Sequence, residues 1–455
     1  MLVMKSADSL RKKHHTFTYQ AFKYNLEGKN LKISFSFLLH PDINFKPELV
    51  IQNVAEQIRT LEKPLLDNLV FHLGLIELFS YWKSTCAPKI RIEAGGLNKD
   101  QIKWWKNLIL NGMGEFFYQN KINFTKDNFI SIINKDKNSI NSKSIKVNNG
   151  YLTLVGGGKD SIVSIELLKK LKINQSTLSL NPTTASNLII KIAEINKSII
   201  VNRKIDQKLL KLNLKGYLNG HTPFSAHLAF LSLLIAALFN HQNIIVSNER
   251  SSDEENIIYL NKKINHQYSK SLEFEKSFRK YISKFITPSI NYFSLVRPLW
   301  EIQISKIFTQ YPDYFQVFKS CNKSQKQNQW CCQCPKCLSV FILLFPFLKQ
   351  KTVNIFGKNL YQDLNLAPTL EQLSGLKQPK PFECVGTKEE IIIGLYLSLK
   401  QYKDKLPKLL KFSQEKILNQ EKNLEKRAKT LLQSWGYDQF LTSQQKQVLK
   451  ELTYA

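Results

Sequence analysis

Two hydrophobic periods alternate along the chain. Between Thr16 and Phe37 apolar and polar residues exchange places every second position, as in FTYQAF and LKISFSF, which predicts strands with one face buried. Val54–Ile58 and Leu65–Tyr81 carry helix-like spacing. Residues 1–132 therefore read as an N-terminal α+β domain. Residues 133–149, INKDKNSINSKSIKVNN, are rich in Lys, Asn and Ser and predict a linker. Beyond it, apolar runs of strand length at Tyr151–Val155, Ser176–Leu180, Ser198–Asn202 and Asn243–Ser247 alternate with helical stretches. That alternation predicts an α/β domain over 150–350, a parallel sheet with helices on both faces. Residues 351–455 read as a helical C-terminal region. Its Lys-rich end places Leu409, Leu410, Phe412, Ile417, Leu418 and Leu424 at helical period, as expected of a solvated helical cover.

Length and composition agree with this reading. The chain has 455 residues, 43% of them hydrophobic and 22% charged. A chain of that size buries a core without disulfides or metals to support it. This excludes a disordered tail protein, a collagen-like fibre and a disulfide-stapled miniprotein. The apolar stretches Leu228–Phe239 and Leu338–Leu348 are too short to span a membrane, Pro346 interrupts the second, and the N-terminal MLVMKSADSLRKKHH has no apolar core of a secretory signal. A cytoplasmic protein without a membrane span is expected. The net charge of +29 raises nucleic acid as a partner. Yet the 65 basic residues are 57 Lys and 8 Arg, spread along the whole chain. Readers of phosphate and base lean on the planar fork of Arg, so nucleic acid is not the expected partner.

The densest chemistry lies at the first strand–helix junction of the α/β region, Leu154-Val-Gly156-Gly157-Gly158-Lys159-Asp160-Ser161. Glycines let backbone N–H groups approach a phosphate, and a new helix adds its unpaired N–H groups and positive dipole end. Lys159 can supply charge, Asp160 can face Mg²⁺, and Ser161 can offer a hydroxyl. The spacing is neither GxxxxGK[ST] nor GxGxxG. A bare strand–helix turn with Ser161 as a cap is the plain alternative. The loop resembles the PP-loop of the ATP pyrophosphatase superfamily, S-G-G-x-D-S, with Gly156 in place of the first Ser. That resemblance implies ATP cleaved between its α and β phosphates.

Five of the seven cysteines fall between Cys321 and Cys337. Cys331, Cys334 and Cys337 with the upstream Cys321 form a four-thiolate set suited to tetrahedral Zn²⁺, with Cys332 as a possible substitute. Reduced buried thiols at a helix start are the alternative, and an iron–sulfur cluster is a third. The set resembles the zinc site of 7-cyano-7-deazaguanine synthases. Asn248-Glu249-Arg250 follows a strand and would meet the Gly-rich loop in one crevice, or else would cap the next helix. His221 in NGHTPFS and His266 and Lys270 in NHQYSKS are candidate proton carriers or donors, each with a structural reading beside it. Cys86 and Cys384 lie in short loops, where a lone Cys is more often a small core residue. Arg297 and Glu301 flank a loop-to-helix entry.

Taken together, GLIELFSYWKSTCAP (74–88), WWKNLILNGMGEFFY (104–118), LVGGGKDSIVSIELLK (154–169), NGHTPFSA (219–226), SNERSSDEEN (247–256), NHQYSKSLEFE (265–275), WCCQCPKC (330–337) and PFECVGT (381–387) resemble one family, the bacterial MurL epimerases. The doubled Cys331-Cys332 departs from the family's Cys-Gly and leaves the metal ligands open. The resemblance implies a PP-loop (adenine nucleotide alpha hydrolase-like) core. It also implies an ATP- and Mg²⁺-dependent isomerase that adenylates the terminal L-glutamate of UDP-N-acetylmuramoyl-L-alanyl-L-glutamate. Inversion to D-glutamate for peptidoglycan, cell shape and division would follow, with AMP and pyrophosphate released. Its functional partner would be a ligase that adds L-glutamate to UDP-N-acetylmuramoyl-L-alanine. On this reading Gly156, Gly157, Gly158, Lys159, Asp160 and Ser161 with Asn248, Glu249 and Arg250 hold the nucleotide. His221, His266, Lys270, Cys86 and Cys384 are the candidates for moving the α-proton. The runner-up is a PP-loop enzyme acting on tRNA or a deazapurine through a zinc-binding Cys cluster, and a non-catalytic zinc-ribbon nucleic-acid binder is a third reading.

Overall fold

The computed structural model describes residues 5–136 and 142–454. Part of the expected linker, 137–141, lies outside the described residues. Among the described residues thirteen strands form: β1 (Thr16–Glu27), β2 (Asn30–Leu39), β3 (Ile43–Phe45), β4 (Glu48–Ile51), β5 (Lys89–Gly96), β6 (Ser131–Asp136), β7 (Asn148–Leu154), β8 (Gln175–Leu180), β9 (Ser198–Lys204), β10 (His241–Val246), β11 (Ile257–Tyr259), β12 (Lys262–Ile264) and β13 (Asn291–Ser294). β11 and β12 make a separate hairpin. The others share one sheet in the order β13-β10-β7-β8-β9-β4-β2-β1-β5-β6, with β3 attached to β2.

The five strands β13-β10-β7-β8-β9 are mutually parallel. The N-terminal meander joins them edge to edge, because β4 pairs antiparallel with β9, Ile51 opposite Val201 and Glu48 opposite Lys204. Alternation along each strand then fills two cores. Leu152 and Ile244 point to the face covered by the helices Lys63–Trp82 and Phe224–Leu238. Tyr151 and Ile245 point to the face covered by Lys159–Lys170, Pro335–Leu348 and the C-terminal helices.

Helix Lys63–Trp82 is buried on almost every side, so its polar residues must find partners inside. Glu77 does so: Arg203 of β9 donates to both its oxygens at 2.8 and 2.9 Å, and it pairs with the His227 ring at 2.8 Å. The helical stretch expected at Val54–Ile58 is instead a turn followed by a single 3₁₀ turn, Gln57–Thr60. Asn53 has φ +54°, the Val54 N–H bonds back to Lys29, and what remains is too short to repay helix nucleation. Among the described residues no helix is long and apolar enough to cross a membrane.

In the parallel half the connection from β7 leads to β8 on one side, while β10 lies on the other. The loops after β7 and β10 therefore splay apart above the sheet, and a crevice opens between them, as at any strand-order reversal in an open α/β sheet.

Candidate active site

The Gly-rich loop leaves β7 on one side of this crevice. Gly157 has φ +103°, and a Cβ there would lie 3.1 Å from Ala185 and 3.3 Å from the Lys319 carbonyl, so only glycine fits. A Cβ on Gly156 would meet nothing within 4 Å, so this side of the loop is open. Gly158 caps helix Lys159–Lys170 and brings no side chain to its first-turn N–H groups, which stay available to an anion. Ser161 Oγ donates to the Gly158 carbonyl at 2.9 Å. Lys159 does not reach the open side. Its ammonium is 3% exposed and sits between Asp160, at 2.6 Å, and Glu301, at 3.2 Å.

Glu301 opens helix Glu301–Phe308 and is fully buried. Its Oε1 accepts from Lys159 and from Lys336, each at 3.2 Å. Burial alone would raise its carboxyl, but the two ammonium groups hold it down at about 2. Across the crevice, burial raises the Glu249 carboxyl, with Asp160 and Glu301 adding to it while Lys270 opposes. Oε2 of Glu249 and Oε2 of Glu301 are buried without a hydrogen-bond partner. Among the described residues Asp160, Glu249 and Glu301 are not a group whose ligand atoms all gather within 4.8 Å, so this wall is acidic without being a preformed cation site. Arg297 holds this wall in place: it donates to Glu275 at 2.7 and 2.9 Å, to the Glu249 carbonyl at 3.0 Å and to the Lys270 carbonyl at 2.6 Å. The neighbours of Glu249 turn away. The Asn248 carbonyl accepts from Ser294 at 2.8 Å, and the Arg250 guanidinium stacks on Trp300 at 4.2 Å.

His266, Lys270 and Cys384 meet at the end of the same crevice, although 118 residues separate the first from the last. Lys270 Nζ donates to Cys384 Sγ at 3.2 Å, and the His266 ring also hydrogen-bonds Cys384. Burial would raise this thiol, but Lys270, His266 and Lys336 outweigh it and lower it to about 6. Burial would likewise lower His266, yet Cys384 and Glu115 raise it to about 9. Glu115 Oε2 lies 2.5 Å from His266 Nδ1 and 3.5 Å from His221 Nδ1. The two imidazole rings are 4.4 Å apart. Burial, then the charges of His266 and Lys83, push His221 down, so a neutral imidazole stands beside a protonated one. Glu115, His221 and His266 each bring one ligand atom within 4.8 Å of the others, a spacing that also admits a divalent ion. Asn256 ties the segments together, donating to the Pro381 carbonyl at 2.7 Å and accepting from the His266 N–H at 2.8 Å.

Cys86 is not brought to this cluster. It is buried beneath Arg11 with φ +54°, and burial pushes its thiol up to about 12, only partly offset by that guanidinium. A thiol so placed stays protonated at neutral pH.

Cys321, Cys331, Cys334 and Cys337 gather their sulfurs within 4.8 Å of one another. Cys331–Cys337 and Cys334–Cys337 stand at 3.8 and 3.5 Å, close to the ~3.8 Å between sulfurs that tetrahedral Zn–S bonds require. The N–H groups of Ser324 and Cys331 donate to Cys321 Sγ at 3.3 and 3.4 Å, and a hydrogen bond from Cys337 lowers Cys334 to about 5. The donor set fits Zn²⁺. Cys332 turns away with φ +56° and donates to the carbonyls of Trp330 and Phe356. The cluster stands at the start of helix Pro335–Leu348, which carries Lys336, whose N–H donates to Glu383 next to Cys384 at 2.9 Å.

Glu115, Lys336 and Asn256 are site residues that the sequence reading did not single out. Lys336 lies inside the C-P-K-C run and could have been flagged there. Glu115 lies within WWKNLILNGMGEFFY and Asn256 ends SNERSSDEEN, segments quoted for the family resemblance, but no local spacing sets either apart as a site residue.

A family model described as the MurL N-terminal domain matches residues 8–295, and one described as the MurL C-terminal domain matches residues 317–428. Three curated proteins named UDP-N-acetyl-alpha-D-muramoyl-L-alanyl-L-glutamate epimerase are similar to this chain. The protein of Xanthomonas oryzae pv. oryzae is 33% identical over 327 residues, 70% of this chain and 71% of its own. That of Salinispora tropica is 32% identical over 337 residues, 71% and 72% of the two chains. That of a Micromonospora species is 37% identical over 257 residues, 55% and 57%.

Proposed function

The chain belongs to the MurL family, and on that premise we propose that it is a peptidoglycan-precursor epimerase, inverting the terminal L-glutamate of UDP-N-acetylmuramoyl-L-alanyl-L-glutamate at the expense of ATP. The observation that carries the reading is the pairing of a thiolate, Cys384, with an imidazolium, His266, in the crevice that the Gly-rich loop opens onto. Lys336 joins the two ends, bonding Glu301 on one side and acting on Cys384 on the other.

The difficulty of the reaction is the α-proton. Its removal beside a free carboxylate would leave two negative charges on one small group. ATP, when bound, supplies AMP to that carboxylate with loss of pyrophosphate, and the resulting mixed anhydride makes the α-proton acidic. The open side of Gly156 and the uncapped N–H groups after Gly158 would receive the phosphates. Asp160, at the mouth of the loop, would face the Mg²⁺ that accompanies ATP. Lys159 orients Asp160 and Glu301 rather than touching the nucleotide itself. Inversion then needs one group on each face of the carbon. Cys384 is the base, since Lys270 and His266 keep it ionised near neutral pH. His266, held charged by Glu115, is the acid, and substrate entering between the two would replace their direct contact. Neutral His221, beside it, could relay a proton from water to His266, taking one up as it passes one on. Hydrolysis of the anhydride would release the D-epimer and AMP. Zn²⁺ on Cys321, Cys331, Cys334 and Cys337 would pin the start of the helix that presents Lys336.

The test is a reaction in D₂O with the purified full chain, ATP, Mg²⁺ and UDP-N-acetylmuramoyl-L-alanyl-L-glutamate, followed by NMR and chiral chromatography. D-glutamate carrying α-deuterium, formed only with ATP and matched by AMP, is expected. ATP binding without α-exchange would overturn the peptidoglycan assignment and send the search to tRNA and deazapurines.

A further inference from the structure

A cavity of about 940 Å³ lies between the first described helix, Ala7–Lys13, and the segment 119–129. That volume is typical of a site for a nucleotide-sized ligand. Its wall is strongly cationic. Lys5, Arg11, Lys12, Lys121 and Lys126 line it, against the single carboxylate of Asp8 among the described residues. Arg11 is fixed in place, stacked at 4.4 Å on the Phe129 ring and donating to the Phe129 carbonyl at 2.6 Å. The exposed amides of Asn123 and Asn128 also lie on the wall; the Asn123 oxygen accepts from Thr125, which leaves its NH₂ as a donor, and Asn128 brings an amide with a donor and an acceptor.

The cavity is joined to the proton-transfer cluster by two short links. Gln119 and Asn120 end the helix Gly114–Gln119, whose second residue is Glu115, the partner of His266. At 1.5 Å per residue, Gln119 stands about 6 Å along the axis from Glu115. Leu218 lines the cavity, and Asn120 Nδ2 donates at 3.0 Å to the carbonyl of Asn219, two residues before His221. In the substrate named above, a sugar with its lactyl ether and one alanine separate the diphosphate from the glutamate. At about 3.5 Å per extended residue-sized unit, that linker reaches on the order of 10 Å. That reach is of the same order as the path through the protein, the ~6 Å from Gln119 to Glu115 followed by the contacts of Glu115 with His266 and of His266 with Cys384.

We propose that this cavity binds the uridine diphosphate of the substrate, its lysines and Arg11 taking the diphosphate and its asparagine amides the uracil edge. The assignment rests on the epimerase reading for the identity of the nucleotide. It divides the molecule into two nucleotide sites, ATP at the Gly-rich loop and a nucleoside diphosphate here.

The experiment uses the full chain and the variant Lys121→Glu/Lys126→Glu, both positions exposed and remote from the reacting groups. Calorimetric titrations with UDP, ATP and inorganic pyrophosphate are run alongside the epimerase assay. UDP is expected to bind the wild type and to lose affinity about tenfold or more in the variant. ATP binding should stay unchanged, and KM for the UDP-linked substrate should rise with kcat held. UDP binding equal in wild type and variant, no UDP binding at all, or pyrophosphate binding as tightly as UDP would each overturn the assignment. Failure of the epimerase reading shows separately, as a wild type that binds UDP at this cavity but never exchanges the α-proton.

Discussion

Cys384 offers the sharpest test of the proposed chemistry, because its ionisation can be read without any substrate. With the thiol lowered to about 6, the thiolate would make up about 90% of the group at pH 7, against roughly 1% for a thiol at the ordinary 9.0. A less basic thiolate is also a poorer nucleophile. With a Brønsted slope of about 0.4–0.5, that loss is roughly 16- to 30-fold. Alkylation at pH 7 should thus run only about three to six times faster than at an ordinary exposed cysteine. The shape of the profile decides the matter. The rate for Cys384 should climb about tenfold per pH unit below pH 6 and then level off, while an ordinary thiol is still climbing at pH 8. Timed iodoacetamide quenching followed by peptide mass spectrometry separates Cys384 from the other six cysteines, with buried Cys86 as the silent reference. Lys270→Met should move the midpoint upward, since the first electrostatic support of the thiolate is that ammonium. A Cys384 profile still rising through pH 8–9, or a midpoint unmoved by Lys270→Met, would refute the thiolate and with it the choice of base. The free-enzyme profile, kcat/KM, should follow a bell with limbs near 6 and 9, falling at low pH as Cys384 protonates and at high pH as His266 loses its proton.

Other predictions follow from the buried charges. Lys336→Met removes one of two cations on Glu301 and weakens the link to Cys384; kcat should fall about 10²- to 10³-fold while ATP still binds by calorimetry, and an unchanged kcat would place Lys336 outside the mechanism. Glu77→Ala strands Arg203 and His227 in the core and should cost about 3–5 kcal/mol in urea unfolding. Because the Glu77 carboxyl is depressed to about 2, its contribution is present above the ordinary 4.5 and is lost as pH falls toward 2; acid titrations of wild type and variant should converge over that window. Metal analysis of the purified chain should give one zinc, retained in Cys332→Ala and lost in Cys331→Ala, whose sulfur stands in the four-sulfur cluster.

Much of the architecture was legible locally. The apolar runs at 151–155, 176–180, 198–202 and 243–247 each fall on a parallel strand; β8 and β10 are buried on both faces, whereas β9 alternates buried and exposed positions next to the antiparallel β4. The three glycines marked a strand-to-helix loop for a reason visible in the chain, since Gly157 takes a φ and a neighbour distance that no side chain tolerates. The cysteine spacing pointed to Cys321, Cys331, Cys334 and Cys337 with Cys332 as a substitute; the structure gathers those four sulfurs, and the left-handed turn at Cys332 aims its sulfur at two carbonyls instead. Cys86 and Cys384 looked alike as lone cysteines in short loops. They differ because one is buried under a guanidinium that cannot offset its desolvation, and the other meets an ammonium and an imidazolium that can.

By itself, then, the sequence determined the periods, the turn chemistry and the inventory of groups able to bind phosphate, carry protons or hold a metal. These depend on residues a few positions apart, where backbone sterics and side-chain spacing act directly. Tertiary structure alone decided that β4 would pair with β9 and merge two halves into one sheet, that Lys159 would turn inward to Glu301, and that Glu115, His266 and Cys384 would share a site. Ionisation in that site comes from burial and from charges drawn together across hundreds of residues. Neither is a property of any local stretch of chain.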